Sequence, residues 1–318
     1  MRDVLIIGSG PSGWTAAIYT ARAGLHPTLI ASSVETGGEL MKTTTVENFP
    51  GFLEGVQGPD LMAILQQQAE RFGTEVIYDD AVELDLDGPV KTVRTGLGDT
   101  YTARSIILST GSAYRRLGLP REDLLSGHGV SWCATCDGFF FTDKVVAVVG
   151  GGDSAMEEAT FLTRFAKQVY VIHRRDSLRA SQIMQKRAQD DPKITFVWNS
   201  TVSALLGTDQ LSGVELTDTV TGEQRQLDLD GLFVAIGNDP RTELVKDQVA
   251  LEDNGCIRVE GRSSRTSIPG VFAAGDVIDP TYRQAITAAG SGCVAALDAQ
   301  SYLVSHAVPA DPAVTAQS

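Results

Sequence analysis

Two cysteines separated by two residues, Cys133 and Cys136, have the most direct claim to chemistry in this 318-residue chain. Such a pair in a reducing compartment is either half of a zinc site or a reversible redox couple. A structural zinc takes four ligands. The remaining cysteines, Cys256 and Cys293, are distant in sequence, and His26, His128, His173 and His306 lack metal-ligand spacing, so no metal is expected. Two cysteines in a turn or a first helical turn can close a small disulfide ring, and a helix N-terminus can lower one thiol pKa, which suits reversible exchange. Asp137 follows directly and could move the proton that thiol chemistry needs, or simply cap a helix.

The electrons for such a pair have a visible source, because two strand, glycine turn, helix, strand units recur about 140 residues apart. The first runs from a strand at Val4 to Ile7 through Gly8, Gly10, Pro11, Ser12 and Gly13 into a helix-compatible stretch to Ala23, then a strand at Thr28 to Ala31. The second has a strand at Val145 to Val149, a turn containing Gly152, Asp153 and Ser154, a helix to about Phe165 and a strand at Val169 to Ile172. Glycines permit the tight turn and the close approach of backbone to pyrophosphate, whose charge meets the N–H groups at the helix start.

The residue after the second strand selects the nucleotide, an acid favouring a ribose 2′-hydroxyl and a base a 2′-phosphate. In the second unit that strand ends in His173, Arg174 and Arg175, with Arg179 beyond, so NADPH is expected there. The first unit reads Ala31-Ser32-Ser33-Val34-Glu35, which favours FAD; Glu35 either touches the ribose or is a solvated loop acid. Further apolar strands run into small-residue turns at Thr110-Gly111, at Ile236-Gly237 and at Gly275-Asp276. Asp276 suits the flavin ribityl or pyrophosphate region, or a helix N-cap.

The length suits two domains, and 42% apolar with 21% charged residues describes a globular chain. Forty acidic against 26 basic residues give a formal charge of -14, which argues against nucleic acid or anionic lipid as partner. No stretch has the roughly 20 apolar residues of a membrane span, and the N-terminus opens on a strand without signal-peptide character, so a cytoplasmic protein is expected. The last dozen residues are expected to fray. The fold class expected is α/β, with two Rossmann-like three-layer nucleotide-binding domains. The NADPH domain, 117–243 with the dithiol, is inserted between FAD-domain segments 1–116 and 244–318. Because the dithiol precedes the strand Lys144 to Val149 and the NADPH turn follows it, and about six strand residues span roughly 20 Å, the two sites are expected at opposite ends. Movement of the inserted domain would then serve both.

Together these stretches resemble low-molecular-weight bacterial thioredoxin reductases, from Asp3 to about Tyr302. The likeness rests on GSGPSGWTAAIYTARAG, TTTVENFPGF, CATCDGFFF, GGGDSAMEEA, HRRDSLRAS, GVFAAGDV and YRQAITAAGSG. The resemblance implies NADPH-dependent reduction of thioredoxin through FAD, a homodimer and a large rotation of the NADPH domain. It also implies that Cys136 faces the flavin, Cys133 attacks thioredoxin and Asp137 is the acid/base. Gly8, Gly10, Gly13, Asn48, Asp276, Arg283, Gln284 and Ala285 would line FAD, with Pro11, Ser12, Gly38, Glu39, Leu40, Thr110, Gly111 and Gly275 as further candidates. Gly152, Asp153, Ser154, His173, Arg174, Arg175 and Arg179 would line NADPH; Ile236 and Gly237 are further cofactor-binding candidates. Three departures stand out: the family's Gly-Gly-Gln-Leu reads Gly37-Gly38-Glu39-Leu40, AIGH ends in Asn238, and the basic residue before CATC is His128. Glu39 either tunes the flavin or faces solvent. Competing classes are a flavin dithiol oxidase, which needs no NADPH site, a ferredoxin or flavodoxin NADP reductase, which lacks the dithiol, and a non-catalytic nucleotide sensor.

Overall fold

The apolar runs that open each glycine turn become central strands of two parallel sheets, as burial on both faces demands. The computed structural model describes residues 1–34, 36–43 and 45–306. Glu35 and the C-terminal dozen expected to fray lie outside them. Strand β1 (Arg2–Ile7) enters α1 (Pro11–Arg22), and β2 (Thr28–Ala31) lies parallel beside it, Leu5 opposite Thr28. A 3-10 turn at Gly38–Lys42 and a small hairpin of β3 (Thr45–Val46) and β4 (Val56–Gln57) lead to α2 (Gly58–Arg71) and β5 (Glu75–Tyr78). The antiparallel strands β6 (Ala81–Asp85) and β7 (Lys91–Thr95) precede β8 (Thr100–Leu108), which runs parallel to β1 with Ile106 opposite Leu5. Near the other end of the chain β19 (Val271–Ala273) pairs with β8, bringing the first sheet to seven strands among the described residues. The long α6 (Ala285–Ser305) packs across α1. Val4, Ile6, Trp14, Leu29 and Phe272 fill the core on the helical face, and Leu5, Ile30, Ile106 and Val271 the core on the other.

Between β8 and β19 the chain builds a second unit. It leaves through β9 (Ser112–Tyr114) and forms β10 (Val130–Ser131), the one-turn α3 (Ala134–Asp137), β11 (Val145–Val149) and α4 (Asp153–Leu162). It continues through β12 (Gln168–Ile172), α5 (Gln182–Gln189), β13 (Ile194–Val197), the meander β14 (Ser200–Leu206), β15 (Gly213–Asp218) and β16 (Gln224–Asp228), and β17 (Gly231–Val234). It returns through β18 (Asn238–Pro240), antiparallel to β9 with Asp239 opposite Ala113, so the two connections form one ribbon. The parallel strands lie in the order β10-β17-β11-β12-β13. This doubly wound α/β architecture matches the fold class expected. Helix α4 stops short of Phe165 because Arg164 and Phe165 close tight turns onto Phe161 and Leu162, and the Lys193 ammonium takes the Thr163 and Ala166 carbonyls at 2.8 Å.

Strand polarity corrects the expectation that dithiol and nucleotide turn lie at opposite ends of β11. Strands β10, β17 and β11 are parallel, with Ser131 level with Phe233 and Phe233 level with Val148. The chain therefore leaves β10 at the same carboxyl edge from which β11 enters its glycine turn. The 3-10 turn Gly138–Phe141 and the residues after it carry the chain back to begin β11. Two strand spacings, about 10 Å, separate the two sites along that edge.

Candidate functional site

Cys133 and Cys136 form a disulfide with Cα atoms 5.3 Å apart. Cys133 ends the extended stretch after β10 and occupies the N-cap of α3, its Sγ accepting from the Cys136 N–H at 3.2 Å. Its own N–H donates to Ser131 Oγ at 3.1 Å, and that hydroxyl donates to Asp137 Oδ2 at 2.6 Å. Asp137 ends α3 and holds the N-cap place of the 3-10 turn that follows, but its side chain makes no capping hydrogen bond and its carboxyl turns to Ser131 instead. Burial raises its pKa, with the Ser131 hydrogen bond pulling the other way. Cys256 and Cys293 are free thiols, and no cluster of His, Cys, Asp or Glu among the described residues could hold a metal.

The disulfide opens into a cavity of about 1540 Å³, open mouth included. Most of its other walls come from the first unit: Gly8, Gly10, Pro11 and Ser12 at the turn after β1, Gly38, Glu39, Leu40 and Asn48 from the following loop, and Thr110 and Gly111 after β8. Asp276, Arg283, Gln284 and Ala285 close it at the start of α6. Gln284 joins the two halves, its Nε2 lying 3.8 Å from Cys133 Sγ while its Oε1 accepts from Asn48 at 3.3 Å.

The glycines divide their work. A Cβ on Gly13 would sit 2.0 Å from the Gly8 carbonyl oxygen, so Gly13 serves close packing inside the turn and does not line the cavity. Gly275, at φ +81°, likewise packs against Ser12. A Cβ on Gly10 would meet nothing within 4 Å, so this backbone stands open for a ligand. Ser109 Oγ, on the same wall, is buried without a partner among the described residues. The set fits the pyrophosphate and ribityl groups of FAD: an open glycine turn at a helix start, an orphan hydroxyl and a carboxylate. That carboxylate is Asp276, which is no N-cap because Ala274 holds that place; burial pushes its pKa up to about 6. Glu39 lines the cavity but is not a free charge, since Arg241 donates to it at 3.1 Å.

The second glycine turn is built alike, away from that cavity. A Cβ on Gly152 would meet nothing within 4 Å, whereas one on Gly151 would strike the His173 ring at 2.2 Å. The Asp153 carboxylate accepts from the Ser181 N–H at 2.6 Å, tying the first turn of α4 to the arginine loop, while Ser154 stands exposed beside it. Arg174, Arg175 and Arg179 are exposed and form no ion pair among the described residues. In an acidic protein such a cluster fits the 2′-phosphate of NADPH. His173 differs from its arginine neighbours: it is buried under the turn, and desolvation, then Arg174 and Arg175, lower its pKa. Ile236 and Gly237 follow β17 at the ribbon, where the Gly237 carbonyl accepts from the Arg115 N–H at 3.0 Å. Sequence alone did not single out Ser131, Tyr114 or Arg241, which also line the cavity; Ser131 stands two residues before Cys133, whereas Arg241 comes from beyond the second unit's last strand.

A family model described as pyridine nucleotide-disulphide oxidoreductase matches residues 2–292. The chain is 61% identical over 307 residues to the thioredoxin reductase of Streptomyces clavuligerus, covering 96% of this chain and 95% of the relative. The solved thioredoxin reductase of Streptococcus pyogenes is 42% identical and superposes with a TM-score of 0.91 over 96% of this chain and 99% of its own. That of Lactococcus lactis, described as an FR conformation, is 40% identical with 96% and 100% coverage, yet its TM-score is 0.64. No described helix is long and apolar enough to cross a membrane.

Proposed function

Because the chain belongs to the pyridine nucleotide-disulphide oxidoreductase family, we propose that it is a thioredoxin reductase that uses NADPH, FAD and the Cys133–Cys136 dithiol. The observation that carries this is the opening of the disulfide into the cavity that bears the first glycine turn. The redox chemistry that FAD would supply there is acceptance of a hydride from NADPH and delivery of an electron pair to the disulfide. Gly10 and the N–H groups of α1 would hold the FAD pyrophosphate, and Asp276 and Ser109 its hydroxyls. Gly152 and the start of α4 would receive the NADPH pyrophosphate, and Arg174, Arg175 and Arg179 its 2′-phosphate.

On reduction the S–S bond breaks and Asp137, which holds a proton more readily for being buried, supplies it to a sulfur. The Cys136 N–H favours a thiolate on Cys133. That thiolate attacks the thioredoxin disulfide and displaces one of its sulfurs; Cys136 then attacks Cys133 and releases the second, so two electrons move and the enzyme disulfide re-forms. In the present arrangement the dithiol faces the cavity and the NADPH turn does not line it, so one rigid arrangement serves only one half-reaction. The segment 117–243 therefore rotates about the β9–β18 ribbon relative to 1–116 and 244–318. Two solved relatives of nearly equal identity and coverage but TM-scores of 0.91 and 0.64 support such a reorientation.

The working form is a cytoplasmic homodimer. Tyr19, Val294 and Leu297, exposed on α1 and α6, support a covering copy. The dithiol oxidase reading leaves the basic cluster at the second turn without a purpose, and the sensor reading leaves the dithiol without one. Crosslinking the two units across the cavity tests the scheme: flavin-to-dithiol transfer should persist while NADPH-driven thioredoxin reduction stops, and full turnover would refute the rotation.

A further inference from the structure

A second carboxyl adjoins the dithiol and has no part in the relay above. Glu158 lies on α4, which packs against α3. Its Oε2 is buried without a hydrogen-bond partner among the described residues, and its carboxyl faces the backbone N–H of Ala134, the residue after Cys133. Asp137 ends the same four-residue helix under the Ser131 hydroxyl. The dithiol turn is thus held between two carboxyls, one at each end. Around Glu158 stand Arg283, whose guanidinium favours its charged form, Glu157 on its own helix, which opposes it, and Tyr114. Burial outweighs these and pushes its pKa up to about 8.

We propose that Glu158 is a positioning residue of the redox centre: its carboxyl, buried against the helix that carries the dithiol, keeps the amino end of that turn free of negative charge while it holds its proton. The proposal rests on the reading of Cys133 and Cys136 as the working dithiol. In the reduced protein the Cys133 sulfur sits where first-turn N–H groups stabilise a thiolate. An ionised Glu158 at the neighbouring N–H opposes that charge, so carboxylate and thiolate each raise the other's pKa. Near neutrality Glu158 holds its proton and the thiolate forms unhindered. Above about pH 8 the carboxylate forms and restrains further ionisation of the thiol.

The test is alkylation of Cys133 by iodoacetamide, followed by mass spectrometry, in holoenzyme reduced with dithiothreitol between pH 6.5 and 10. Wild type and Glu158→Gln, whose uncharged amide has the shape of the protonated acid, should react alike near neutrality. At pH 9 the variant should react about threefold to tenfold faster, which is half to one unit of thiol pKa. The wild-type profile alone should be broader than a single titration. Coincident profiles, a uniform change at every pH, or a single sharp wild-type titration would overturn the proposal. The measurement uses neither NADPH nor thioredoxin, so its failure is distinguishable from failure of the proposed function.

Discussion

Gly10→Ala separates folding from flavin binding. Gly10 has φ −74° and ψ −176°, a conformation alanine adopts without strain, and its Cβ would meet nothing within 4 Å. Substitution should therefore stabilise the apoprotein slightly, by about 0.4–1 kcal/mol, through a less flexible unfolded chain. If the open side of Gly10 is where the FAD pyrophosphate approaches, the new methyl overpacks that contact at about 1–3 kcal/mol. FAD then binds about 5- to 150-fold more weakly. Thermal unfolding of the apoprotein and quenching of FAD fluorescence on the same preparation measure both quantities. Gly13→Ala is the contrast: its Cβ would lie 2.0 Å from the Gly8 carbonyl, so the apoprotein itself should lose stability. Unchanged FAD affinity in Gly10→Ala, with a sound apoprotein, would refute the assignment of that backbone to the dinucleotide.

Two further outcomes follow from charges. Asp276 has a folded-state pKa of about 6 against an ordinary 3.8, so the folded apoprotein binds its proton more tightly than the unfolded chain. Its favourable contribution is complete below the ordinary value and is lost as pH rises through about 6, a swing of about 3 kcal/mol. Urea unfolding of apoprotein should show Asp276→Asn gaining on wild type between pH 4.5 and 7.5, and an equal difference at both pH values would contradict this. Arg174→Ala or Arg175→Ala should remove a charge-assisted bond worth about 1.5–3 kcal/mol. That weakens NADPH about 10- to 150-fold with NADH unaffected, as calorimetric titration would read; an equal loss for both nucleotides would sink the 2′-phosphate assignment.

What could be read from the sequence was local. Glycine turns follow apolar strands directly, so β2 and β11 lie where expected and β1 and β12 differ only at their first residues. The misplaced relation between dithiol and NADPH turn came from β10. Its two residues, Val130 and Ser131, show no periodicity, and their partner β17 lies about a hundred residues later, so their direction is set by pairing alone. Asp137 and Asp276 were each open between capping and chemistry, because a carboxylate beside a short helix suits both; only the Ser131 contact and the cavity wall decide. The Glu39–Arg241 pair joins residues 202 apart, and Glu158 reaches the dithiol because α4 packs on α3. Neither leaves a signature in its own neighbourhood.

The central claim is that Cys133 and Cys136 are the outlet of an electron path that begins at NADPH. Anaerobic titration of Cys133→Ser and Cys136→Ser holoenzyme with NADPH, followed by thioredoxin and a thiol assay, tests it most directly. Each variant should bleach its flavin on addition of NADPH and deliver no thiols to thioredoxin. Full thioredoxin reduction by either variant would contradict the account.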